Sequence, residues 1–102
     1  METINEFMTG KLIIIKDQII RNIPTNKFDS HEFIRNFAKR FEIEYIEFLS
    51  SYKQEPFRNV HAQIGKFLLE NQVLLQIKDE GITQSPNIFE IESQNEKWIK
   101  SE

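Results

Sequence analysis

The sequence predicts an α+β domain, mostly helical: a three-helix core closed by a C-terminal β-hairpin, with an extra helix before it and a short helix after it. Three observations carry this expectation. From Pro56 the segment PFRNVHAQIGKFLLEN keeps its apolar residues at helical spacing. Directly after it, two short runs with β-branched and aromatic residues flank DEGITQSP, a stretch of turn formers. Upstream of Pro56 the apolar period is helical throughout. A chain of 102 residues fits one domain over 1–102, divided into an N-terminal helix (1–23), a core (28–91) and a C-terminal helix (92–102).

Thr3 and Glu6 have capping-box spacing, and apolar residues recur at Ile4, Phe7, Met8, Leu12, Ile15, Ile19 and Ile23. The helix is expected to stop before Pro24, because the residue ahead of a proline avoids the helical region. Gly10 and the run Ile13-Ile14-Ile15 weaken it; the run also reads as a strand after the glycine. Ile13, Ile14 and Ile20 leave the narrow stripe, which calls for packing on two sides or for a homodimer contact.

After the polar connection 24–27, Asp29 and Glu32 repeat the capping-box spacing, with Phe28 and Phe33 placed as a hydrophobic staple. The helix they start carries Phe33, Ile34, Phe37 and Ala38 on one face and ends near Phe41. A second core helix over 44–52 presents Tyr45, Ile46, Leu49 and Tyr52 inward. The third opens at Pro56, whose missing N–H is no loss at a first helical position, and buries Phe57, Val60, Ile64, Phe67, Leu68 and Leu69. Strands are expected over 73–78 and 87–91, joined by a loop over 79–86. Ser93 and Glu96 then suggest a final helix that packs Trp98 on the body.

Composition excludes more than it identifies. Apolar residues are 39% and charged residues 28%, as in ordinary globular proteins. No cysteine is present, so disulfides, thiolate catalysis and Cys-ligated zinc are excluded, which fits an intracellular chain. The start lacks the basic region and cleavage site of a signal peptide, and no apolar run reaches the ~18 residues of a membrane span. A cytoplasmic location without membrane partners is the expectation. His31 and His61 stand alone, without ligand-spaced neighbours, and only three glycines occur, none in a phosphate loop. No catalytic residue, metal or cofactor is expected.

Three helices followed by a two-stranded hairpin resemble the winged helix-turn-helix domains over residues 28–91, by element order and spacing. The resemblance implies duplex DNA as a partner, with the third helix in the major groove and the hairpin on the flanking backbone; other domains of this class bind only proteins. On the outward face of the third helix, Arg58 suits guanine edges, Asn59 and Gln63 suit adenine, and Lys66 suits phosphate or guanine, with Ala62 leaving room for approach. Lys78 is the basic residue of the hairpin placed for phosphate. Arg35, Lys39, Arg40 and Lys53 are candidate helpers. The same residue types also clothe any solvated helix.

The net charge of −3 and the excess of acid in 72–102, 3 Lys and Arg against 6 Asp and Glu, weaken a backbone-gripping wing. The alternative is a protein-binding module that uses the isoleucine-rich first helix or the acidic hairpin, and a two-fold DNA reader would dimerise through that first helix.

Overall fold

The computed structural model describes residues 2–101 as an α+β arrangement of helices around one three-stranded antiparallel sheet. The elements are α1 (Ile4–Gly10), α2 (Leu12–Ile14), a π-helical stretch (Ile15–Ile20), β1 (Lys27–Asp29), α3 (Ser30–Arg40), α4 (Glu42–Ser50), α5 (Pro56–Glu70), α6 (Gln72–Leu75), β2 (Ile77–Pro86) and β3 (Glu92–Lys100). Met1 and Glu102, the ends of the two terminal helices expected from sequence, lie outside the described residues.

The first helix starts where its cap is written. Thr3 Oγ1 accepts from the Glu6 N–H at 3.1 Å, and Glu6 Oε1 accepts from the Thr3 N–H at 2.9 Å. The expected single helix breaks at Lys11, just after Gly10, and resumes with the wider π turn. The register that results buries Ile15, Ile19 and Ile20 together and leaves Ile13 70% exposed. Asp29 caps α3 as expected: its Oδ1 accepts from the Glu32 N–H at 2.9 Å.

The core is aromatic where α1, α3 and α4 meet. Phe7 makes edge-on contacts with Phe37, Phe41 and Phe48 at centroid separations of 6.4, 5.2 and 5.6 Å. Phe41 is the kink between α3 and α4, with φ −121 and ψ 52, so α4 begins at Glu42, earlier than expected. That start rotates the helix: Tyr45 and Phe48 are buried, while Ile46, expected inside, is 52% exposed. Below this layer α5 contributes Val60, Ile64, Phe67 and Leu68; Phe57 and Leu69, also expected in its core stripe, are exposed.

The C-terminal region is corrected most. A hairpin is present, but its strands are β2 and β3, and residues 79–86 lie in a strand rather than a loop. Residues 87–91 form the turn instead of a strand, and 73–75 end in the helical turn α6. No C-terminal helix forms over 92–101: β3 is the central strand, paired with β1 through Phe28↔Trp98 and with β2 from Ile77↔Lys100 to Pro86↔Glu92. Trp98 is fully buried, as expected, but from a strand, and its Nε1–H donates to Ser30 Oγ at 2.9 Å.

Two local devices allow this path. Between Asp79 and Ile82 the register slips by a bulge, where Gly81 takes φ 95 and its N–H donates to Asp79 Oδ1 at 2.8 Å. At the turn, Asn87 Oδ1 accepts from the N–H groups of Phe89 (2.8 Å) and Ile91 (3.1 Å).

Candidate functional site

The exposed side of α5 and the hairpin turn enclose a groove of about 690 Å³. One wall is the stripe Arg58, Ala62 and Lys66, one helical turn apart, with Gly65 beside it. The other wall is Asn87 to Phe89 of the turn and Ser93 to Glu96 of β3; Ser30, His31 and Ile34 of α3 close the back. At the mouth Phe57 and Phe89 meet edge to face, with centroids 4.8 Å apart and planes at 89°. This contact is why the apolar turn residues do not form a strand: they lean on α5.

The stem of the hairpin is stapled to the start of α3 by polar side chains. Asn95 Oδ1 accepts the His31 backbone N–H at 3.0 Å, while Asn95 Nδ2 donates to Ser85 Oγ at 3.1 Å. His31 Nδ1–H donates to the Ser85 carbonyl at 3.1 Å, and the Ser93 hydroxyl donates to Nε2 at 3.3 Å, an assignment that satisfies every partner. Arg35 Nη1 donates to the Pro86 carbonyl at 3.0 Å.

His61 forms the floor of the groove. Its Nε2 lies 2.6 Å from Tyr45 Oη, and the two rings stack at 6.0 Å with planes 12° apart. Burial holds its pKa down at about 4, with the charge of His31 adding to the effect, and burial pushes the Tyr45 hydroxyl up to about 12. Both groups are therefore neutral near pH 7.

The sequence-derived site residues do not converge as a set. Arg58 and Lys66 line the groove, and among the described residues Arg58 makes only an exposed ion pair with Glu55 at 3.5 Å, its side chain 81% exposed. Asn59 is turned back on the helix start, its Nδ2 donating to the carbonyls of Gln54 (3.0 Å) and Glu55 (3.1 Å). Gln63 Nε2 is engaged with Tyr52 Oη and, at 3.3 Å, with the Asn59 carbonyl. Lys78 sits at the base of β2 opposite Ile99, away from the groove. Of the candidate helpers, Arg35 holds the hairpin, while Lys39 and Arg40 line a separate cleft with Gln18, to which Arg40 donates at 3.1 Å.

Sequence reasoning missed Phe57 and Phe89 as groove walls and His31, Ser85, Ser93 and Asn95 as the staple. The signal for Phe89 was present: an apolar triplet, Ile88, Phe89 and Ile91, right after Pro86-Asn87, a turn-forming pair. Among the described residues no group of three or more His, Cys, Asp or Glu is placed to hold a metal, and no helix is long and apolar enough to cross a membrane.

Comparison with protein-family models, with curated proteins and with solved structures finds no match to this chain.

Proposed function

We propose that this chain is a non-catalytic winged-helix module that binds duplex DNA, with α5 as the reading helix and the β2–β3 hairpin as its wing. The observation that carries the reading is the open stripe Arg58, Ala62 and Lys66 on α5: two cations flank an exposed alanine on the side of the helix that borders the hairpin. The element order supports it, with a strand before α3, a hairpin after α5 and the sheet order β1-β3-β2. In the reading, Arg58 and Lys66 meet guanine edges or phosphate, Asn59 and Gln63 join after releasing their local bonds, and Lys78 touches the backbone at the stem.

The hairpin adds little positive charge. Glu90 and Glu92 are exposed at its turn, and Lys27 is neutralised by Glu80 at 2.9 Å. Few phosphates are then neutralised, and the slope of log affinity against log salt is expected at only about −2 to −3. Anisotropy titration of pooled duplexes between low and moderate salt measures it; Arg58→Ala and Lys66→Ala each shorten the slope by about 1. Binding that is absent at low salt, or indifferent to both variants, removes the reading.

A second reading, a module that binds protein, is favoured by one observation. Ile13, Val73 and Leu74 are 70%, 90% and 60% exposed, and α2 packs on α6, so the three side chains belong to adjoining elements. A homodimer through the N-terminal helix would use this surface. Light scattering after size exclusion discriminates: a strict monomer removes the dimer, and loss of dimer in Val73→Asp assigns it.

A further inference from the structure

We propose that the groove between α5 and the hairpin turn is a binding site for a nucleotide, with its phosphate at Arg58 and Lys66 and its base against Phe57 and Phe89. This goes beyond duplex reading, because a base stacked in a duplex cannot enter beneath the turn. It stands whether or not the chain binds duplex DNA.

Four features converge on that ligand class. The volume of about 690 Å³ is in the middle of the range of small-molecule sites, about 300–1,000 Å³. The two phenyl rings touch edge to face and are 38% and 52% exposed at the groove, which leaves aromatic surface for a planar ring; aromatic faces accept any base. Among the described residues Arg58 is tied only to an exposed glutamate and Lys66 makes no ion pair, so the two cations, about two turns apart on one helix face, can turn toward a phosphate between them at little loss.

The fourth feature is an unused donor. Tyr45 O–H has no acceptor among the described residues other than His61 Nε2, so it donates there. A neutral imidazole then carries its remaining proton on Nδ1, and that N–H finds no acceptor among the described residues, though His61 lines the groove. Across the groove, the Gln94 side chain is also exposed and without a hydrogen bond among the described residues. A ring with heteroatoms on its edge uses both groups, which a plain hydrocarbon ring or an acyl chain does not.

The test is a two-dimensional NMR titration of the full chain with adenosine, guanosine, cytidine and deoxythymidine 5′-monophosphates, with adenosine and inorganic phosphate as partial ligands. At least one monophosphate is expected to saturate the signals of Phe57, His61 and Phe89, and to bind about tenfold or more tightly than either partial ligand. Arg58→Ala and Lys66→Ala each weaken it about tenfold, and Ala62→Trp, which fills the groove from an exposed position, removes it. Should Ala62→Trp disturb the fold, the variants of the two exposed cations carry the comparison. A 5′-phosphorylated tetranucleotide separates the sources: binding as tight as the monophosphate assigns a strand end, and exclusion assigns a free nucleotide. The proposal is overturned by equal affinity for phosphate alone, by shifts centred on 69–74, or by no saturation up to about 10 mM.

Discussion

The helical body and the hairpin are held to the same protein by different physics. In the body, Phe33, Phe37, Ile64 and Leu68 are fully buried, and apolar packing predominates. In the hairpin, β2 has a single buried residue, Ile77, and β3 a single one, Trp98; beyond the β1–β3 ladder and the Phe57–Phe89 contact, much of the attachment is polar, in the Asn95–His31–Ser85–Ser93 network, the Trp98–Ser30 bond and the Arg35 bond to Pro86. Apolar burial is non-directional and tolerates small shifts, whereas hydrogen bonds fix a position and fail one at a time. The groove lies on the seam between the two regions. One wall is therefore set by apolar packing, and the other depends in part on bonds that can be removed singly.

The largest effect that sharpens the contrast is expected in the body. Phe37 is fully buried and touches Phe7, Phe33 and Phe41, with centroids 5.3 to 6.4 Å away. Phe37→Ala leaves a cavity among rings that cannot collapse, and should cost about 3–5 kcal/mol, spread over every region in one cooperative transition. Urea unfolding followed by circular dichroism and by Trp98 fluorescence checks this. Since Trp98 reports the sheet, two separate transitions would mean that the hairpin folds independently of the body.

This division also decides what was legible in the sequence. Helical spacing of Phe33, Ile34 and Phe37, the Asp29 cap and the Pro56 start are local signals, and each was realised. Where the reading failed, the deciding partner was distant. β1 is three residues long and exists because Trp98 and Ile99 pair with it. The stretch 79–86 contains turn formers, yet it is a strand because Gly81 takes up one extra residue in a bulge. Ser93 and Glu96 have the spacing of a helix start, but Ser93 bonds His31, 62 positions away. For the candidate site, periodicity placed Arg58 and Lys66 on an open face. It did not show that Asn59 and Gln63 would bond locally, or that the turn would fold over the stripe.

A smaller and more local effect is expected from cutting the staple. The N–H of Glu32 is capped from within the segment by Asp29, but that of His31 is capped across the fold by Asn95. Asn95→Ala leaves the His31 backbone donor unpaired and removes one bond at Ser85 Oγ, which keeps its contact with His31 Nδ1 at 3.0 Å; the loss should cost about 1–2 kcal/mol. Hydrogen exchange locates the loss: amides of 82–86 and 92–96 should exchange faster, while those of Ile64 to Leu68 change little. Uniform acceleration would show that the hairpin and the body open as one unit and would erase the distinction between them.

The smallest effect has the opposite sign and lies at the bulge. Glu96 sits beside Asp79, its hydrogen bond with that carboxylate, together with partial burial and the neighbouring negative charge, raising its pKa. Glu96 Oε2 is buried and finds no hydrogen-bond partner among the described residues, a placement that favours the protonated form. A carboxyl whose folded pKa is raised contributes stability below its unfolded pKa, near 4.5, and loses that contribution as pH rises through the folded value. As pH rises through the folded value that proton is lost and two carboxylates face each other across the bulge. Glu96→Gln supplies a permanent N–H donor to Asp79, so at pH 7 it should stabilise the chain by a few tenths of a kcal/mol, roughly the scale of an exposed charge pair. The advantage should shrink as pH falls through the folded value, because the native glutamate then gains its own proton. Thermal melts of both proteins at pH 7 and at falling pH decide it: a variant that is destabilising at pH 7 would mean that the Glu96 charge is needed elsewhere on the groove wall.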